Sequence, residues 1–244
     1  MPALILASSS PRRAQLLSQL GLDFQVVIPY VDEAIHENEL PLDYVTRMSR
    51  QKAGFVAALF EKKKTALSGS TALSGSTALS GSTALSQTKT ALGEKTASGQ
   101  KIVLAADTVV VIDGDILGKP KDKSDAITML QRLSGTTHQV VTSVSVQWQS
   151  KVETALVETN VQFRTLSHEE CTRYWMTGEP KDKAGAYGIQ GLASIFVEKL
   201  NGSYSNVVGL PLTETAVLLM KFGVECLPLC AEESILDKEV IQHG

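Results

Sequence analysis

The spacing of apolar and polar positions divides the chain into short strands and amphipathic helices. Leu4-Ile5-Leu6-Ala7 is a continuous apolar run that reads as a buried strand, closed off by Ser8-Ser9-Ser10. Ala14, Leu16, Leu17 and Leu20 then recur at helical spacing. Ser10 suits the N-cap of that helix, Pro11 its first position, where a missing N–H costs nothing, and Gly21 its stop. Residues 24–29 read as a second strand and 41–58 as a helix. A strand over 101–106 is followed by 109–112, an Asp113-Gly114 turn and Ile116-Leu117, which together predict a hairpin. Residues 124–133 form an amphipathic helix ended by Gly135, and 139–147 with 155–164 predict two antiparallel strands. Ser167 and Glu170 make a capping box for a helix that stops at Gly178. Residues 193–198 read as a strand, Asn201-Gly202 as a tight turn and 211–222 as the last major helix. This order of elements predicts an α/β protein with a mixed sheet.

One segment follows neither period. Residues 65–70, 71–76 and 77–82 are the same six residues, Thr-Ala-Leu-Ser-Gly-Ser, three times over. Thr83-Ala84-Leu85-Ser86 begins a fourth copy, and Thr90-Ala91-Leu92-Gly93 resembles a decayed one. With a single large hydrophobe per copy, such a stretch cannot bury enough apolar surface to offset its ordering entropy. Residues 61–100 are therefore expected to be a flexible insertion within one domain spanning 1–222, with 223–244 as a tail.

Composition narrows the class. The 244 residues are 43% hydrophobic and 20% charged, ordinary for a globular protein, with a net charge of −3. No Lys/Arg cluster dominates either half, which argues against a nucleic-acid binder that works by phosphate neutralisation. No apolar run approaches the roughly 20 residues of a membrane span, and no basic stretch precedes the first apolar run. Cys171, Cys226 and Cys230 show neither a disulfide framework nor zinc-ligand spacing with the four histidines. A cytoplasmic protein with reduced thiols and no membrane partner is expected.

Candidate chemistry lies at a few points. Arg12 and Arg13 fall in the first turn of a helix, where the dipole disfavours cations by a few tenths of a kcal/mol each. An anion bound at that end reverses the sign, although a solvated surface pair also fits. Asp107 interrupts an otherwise apolar or hydroxyl run from Ile102 to Ile112. A carboxylate there needs a partner, and at a strand end beside a phosphate loop it can hold Mg²⁺ or take a proton from water. A turn-forming Asp is the alternative. Lys119 in Gly118-Lys119-Pro120 can reach a phosphate, while Glu33 and Lys52 taken alone read as surface residues. In residues 183–191 three glycines allow close approach to a planar ligand, and Gln190 can both donate and accept toward a base edge.

Six segments together resemble the Maf family of nucleoside triphosphate pyrophosphatases. They are Leu-Ala-Ser-Ser-Ser-Pro-Arg-Arg at 6–13, Ala-Asp-Thr-Val-Val at 106–110, Gly-Lys-Pro at 118–120, Leu-Ser-Gly-Thr-Thr-His-Gln-Val at 133–140, Lys-Ala-Gly-Ala-Tyr-Gly-Ile-Gln-Gly at 183–191 and Asn-Gly-Ser-Tyr-Ser-Asn-Val-Val-Gly-Leu-Pro at 201–211. The resemblance runs from about residue 3 to 222, broken by the insertion. It implies an α/β fold with a mixed twisted sheet in two lobes around a cleft, similar to inosine triphosphate pyrophosphatases. It makes Asp107 the general base and Glu33 an acidic residue important for activity. Ser10, Arg12, Lys52 and Lys119 match positions that contact the triphosphate or support turnover. Arg13, Thr108 and Gln190 match the trio that marks the branch acting on dTTP and UTP. The implied cofactor is Mg²⁺ or Mn²⁺, with its protein ligands unassigned. The implied partners are the nucleotide and, as an assembly to test, a second copy in a homodimer. Two other readings stay open at this point: a pyrophosphatase for 7-methyl-GTP or modified nucleotides, and a non-catalytic nucleotide-binding regulator of septum formation.

Overall fold

Strand β1 (Ala3–Ala7) is buried from Leu4 to Ala7 because both of its faces are covered, Leu4 and Leu6 in one core cluster and Ile5 and Ala7 in another. It pairs in parallel with β2 (Phe24–Val27) and with β3 (Lys101–Ile112), as its uniformly apolar sequence requires. The computed structural model describes residues 3–68 and 101–226, and in these a seven-stranded mixed sheet carries the fold. Its order is β2-β1-β3-β5-β6-β7, with β4 (Asp115–Leu117) paired to β3. The strands β5 (Thr137–Trp148), β6 (Lys151–Phe163) and β7 (Val197–Asn201) continue it antiparallel. The β3–β4 hairpin turns at Asp113-Gly114, both with positive φ (54° and 84°), as the dipeptide predicted.

Helices cover both faces. Helix α2 (Pro41–Ser68) lies on one face, where Ala53 and Val56 pack on Val103 and Ala105, and Val45 packs near Val109 and Val111. The larger core fills the other face, beneath α1 (Pro11–Ser18), α3 (Lys123–Leu133), α4 (His168–Met176) and α6 (Leu212–Met220). Each enclosed Leu, Ile or Phe in it contributes about 1.5–3 kcal/mol.

Several expectations need correction. The two runs 101–106 and 109–112 are one strand, so Asp107 sits in mid-strand and not at a strand end. Residues 192–196 are a 3-10 turn (Leu192–Phe196), and the strand begins at Val197. Ala193 and Phe196 point inward three residues apart while Leu192 and Ile195 are exposed, a period that a strand cannot produce. The turn at Asn201-Gly202 leads into a short helix, α5 (Tyr204–Val208), whose N-cap Ser203 accepts the Asn206 N–H at 3.2 Å. Ser10 occupies the N-cap position of α1 with extended backbone, yet its side chain makes no cap. Helix α2 runs on to Ser68, past the expected start of the insertion at 61, and residues 69–100 lie outside the described residues. Val224 and Cys226 pack into the larger core, so the fold reaches beyond 222, while 227–244 and Cys230 also fall outside. Among the described residues no helix is long and apolar enough to cross a membrane.

Candidate active site

The topology leaves a gap in the sheet. On one edge of β3, β1 pairs with residues 101–105 and β4 pairs with residues 110–112. Between them the edge of residues 106–109 is unpaired by either strand, and a cleft of about 800 Å³ opens there. Successive strand residues point to opposite faces. Asp107 therefore turns toward α2 and Thr108 toward α1, and the gap lets both line the same cleft. Ser10, Arg12, Arg13, Glu33, Lys52, Lys119 and Gln190 line it too, so the structure brings all nine sequence-predicted residues together.

Lys52 organises the acidic side. It belongs to the buried stripe of α2 that also carries Val45, Met48 and Val56, and is only 8% exposed. Its Nζ lies 2.6 Å from Asp107 Oδ1 and 2.7 Å from Glu33 Oε1. Burial acts to raise the Glu33 carboxyl, but the hydrogen bond and charge of Lys52, with Lys119 and Arg13 further off, hold it below its ordinary range. One turn before Lys52, Ser49 Oγ lies 2.8 Å from both Ser143 and Ser145 Oγ, tying α2 to β5. Tyr44, two turns before Lys52, donates to the Glu33 carbonyl at 3.1 Å. Burial, then the charges of Asp107 and Glu33, push its hydroxyl up to about 12, so it keeps its proton.

The basic side is held by a directed hydrogen-bond chain. Arg13 Nε donates to the Gly209 carbonyl at 2.8 Å, and Nη2 to Thr108 Oγ1 at 3.0 Å. Thr142 Oγ1 donates to the Asn206 carbonyl at 3.0 Å, so Thr108 must donate across the 2.9 Å to Thr142. Asn206 is fully buried and its amide spans Val140 O and Thr159 Oγ1. Burial lowers the proton affinity of Arg13, partly offset by Asp107. Arg12 is freer: its Nη1 stands 3.7 Å from Asp182 Oδ2, an exposed carboxylate that also pairs with Lys183 at 2.7 Å. Lys119 is exposed on the loop after β4, with no ion pair among the described residues. With no side-chain cap on α1, the first-turn N–H groups of that helix remain available to an anion beside Ser10 and Arg12.

Sequence reasoning missed Tyr44, Glu179, Asp182 and Lys183 as cleft residues, and Thr142 and Asn206 as supports behind it. Tyr44 carried a signal, its spacing of eight from Lys52 on one helix face. Thr142 carried none, since it reads as one more residue of a β-rich run.

The family model for "Maf-like protein" matches residues 3–222. A dTTP/UTP pyrophosphatase of Hahella chejuensis is 44% identical over 222 residues, covering 91% of this chain and 93% of that protein. The dTTP/UTP pyrophosphatase of Pseudoalteromonas translucida is 45% identical over 220 residues, 90% and 97% of the two chains. That of Vibrio cholerae is 43% identical over 219 residues, again 90% and 97%.

Proposed function

This chain belongs to the Maf-like protein family, and from that premise we propose that it hydrolyses dTTP and UTP to the monophosphate and pyrophosphate. The observation that carries the reading is the Asp107–Lys52–Glu33 chain at a gap in the sheet, facing Arg12, Arg13 and Lys119 across one cleft. A triphosphate brings about four negative charges, and a site for it needs cations on one side and a proton acceptor on the other.

In the proposed reaction a water oxygen attacks the α-phosphorus and the bond from that phosphorus to the bridging oxygen breaks. Pyrophosphate leaves, and Asp107 takes the water proton. Lys52 fixes Asp107 and Glu33 in place before substrate arrives, so little reorganisation is needed at the moment of reaction. Arg12, Lys119 and the open N-terminus of α1 balance the charge of the leaving group. Arg13, Thr108 and Gln190 face the base.

The donor set fits a hard divalent cation such as Mg²⁺ or Mn²⁺. Lys52 engages one oxygen each of Glu33 and Asp107, leaving their second oxygens for a metal whose other sites phosphate and water fill. Among the described residues no cluster of three or more His, Cys, Asp or Glu is placed to hold a cation by itself, and phosphate and water oxygens would complete its coordination. When bound, such a cation neutralises phosphate charge.

The test is pyrophosphate release across pyrimidine, purine and 7-methylated triphosphates with Mg²⁺ or Mn²⁺, in wild type and Asp107→Asn. The variant keeps shape, and Lys52 retains Glu33 as counter-ion, so it folds. Turnover of UTP and dTTP is expected to lead the panel in wild type and to fall by about 10² or more in the variant. Near-normal turnover by Asp107→Asn removes it as the base, and preference for 7-methyl-GTP moves the chain to the other branch.

A further inference from the structure

The loop that carries Gln190 is pinned at both ends by one carboxylate. Glu179 follows Gly178 at the end of the α4 segment and lines the cleft wall. Its Oε2 accepts the Leu192 N–H at 2.9 Å, and its Oε1 accepts the Tyr174 hydroxyl at 2.7 Å. That same hydroxyl accepts the Gly188 N–H at 3.2 Å. The carboxylate thus holds residue 192 directly and residue 188 through Tyr174, with Ile189, Gln190 and Gly191 spanning the interval.

Packing points the same way. A Cβ on Gly191 would overlap the Glu179 carboxylate, so this glycine is the socket in which the carboxylate sits. Lys183 Nζ donates to the Glu179 carbonyl at 2.7 Å and anchors the backbone beneath it. Ile189 is buried, and Gln190 is exposed at the crest with no side-chain hydrogen bond among the described residues. Each Glu179 oxygen thus accepts a hydrogen bond from the protein, which fixes the orientation of this carboxylate in the cleft wall. Tyr174 keeps its proton through burial and through Glu179 itself, which maintains the direction of the bond.

We infer that Glu179 is a positioning residue for base recognition: it clamps the backbone at residues 188 and 192, so that the segment bearing Gln190 is held where its amide can meet the nucleobase. The inference rests on the pyrimidine triphosphate reading given above. Loss of the clamp lets the backbone that carries Gln190 sample other positions, which weakens recognition of the base while leaving the Asp107–Lys52 pair, which Glu179 does not contact, in place.

The experiment compares wild type, Glu179→Ala, Glu179→Gln and Tyr174→Phe in the full chain. The readouts are kcat and KM for UTP and for ribose 5-triphosphate, which lacks a base, with Tm recorded for each variant. Glu179→Ala is expected to raise KM for UTP about 10-fold or more, with kcat changed less than 3-fold and ribose 5-triphosphate kinetics little changed. Glu179→Gln keeps an acceptor for the Leu192 N–H and is expected to recover most of the loss; Tyr174→Phe falls between. Equal losses for both substrates, or no loss in Glu179→Ala, overturn the inference. If Glu179→Ala fails to fold, the KM split between UTP and ribose 5-triphosphate in Tyr174→Phe decides the matter in the same way. Calorimetric binding of α,β-methylene-UTP separates the two levels. Weaker binding by Glu179→Ala supports the clamp even if wild type turns over no UTP, a result that would sink only the functional reading.

Discussion

His138 shows how one enclosed side chain ties stability to pH. It is 1% exposed on β5, with Nε2 2.8 Å from the Tyr187 hydroxyl and Nδ1 without a hydrogen-bond partner among the described residues. Phe163 and Tyr187 meet it edge-on, at ring-centroid distances of 5.0 and 5.4 Å. Burial pushes its imidazole down to about 4. In the unfolded chain the value is about 6.5, so below that pH the unfolded state takes up a proton that the folded state refuses. The stability held by neutral His138 is complete above the unfolded value and is lost as pH falls toward about 4. Between pH 7 and 5 the loss is about 2 kcal/mol. Urea titrations at the two pH values check this: His138→Gln is expected to remove about that much of the pH dependence, and an unchanged slope assigns it to other groups. Single residues also mark the limit of reading from sequence. Asp107 stood out because a charge broke an apolar run, whereas Lys52 and Glu33 looked like surface residues. Their roles in the cleft come from an ion-pair chain between positions 33, 52 and 107, which no local pattern encodes.

Among the elements, legibility followed period and punctuation. The first strand and helix, the β3–β4 hairpin, the long β5–β6 pair and the Ser167 capping box were all readable, since each has a strong repeat or a distinctive end. The 3-10 turn at Leu192–Phe196 was not, because five mostly apolar residues fit either period. Nor was α5, which at five residues has too few turns to show a stripe. Yet α5 matters to the cleft, since it ends at Gly209, whose carbonyl holds Arg13. Gly209 has φ of 122°, a conformation strained for any residue with a Cβ. Gly209→Ala is expected to cost about 1–3 kcal/mol of stability. Denaturant unfolding measures it, and an unaltered midpoint would mean that the turn relaxes to negative φ at no cost.

At the scale of the whole molecule, the two points from which the least patterned part of the sequence departs and returns lie far along their elements from Lys52 and Asp107. Residues 69–100 connect the end of α2 to the start of β3. Lys52 lies sixteen residues before Ser68 in α2, about 24 Å along the helix, and Asp107 lies six residues into β3, about 20 Å from Lys101. Replacing residues 69–92 with a few Gly/Ser residues should leave kcat/KM unchanged. The shorter connection is favoured by about 0.9 kcal/mol of closure entropy, so Tm holds or rises slightly. Loss of folding in that deletion would show that the segment packs against the domain. The same geometry bears on the gene. Each copy of the repeat is six residues, so replication slippage that adds or drops a whole copy preserves the reading frame. One added copy alters closure by about 0.2 kcal/mol, far too little for selection on folding to notice. Copy number is therefore expected to drift between isolates as a neutral length polymorphism, recorded in the DNA and silent in the kinetics.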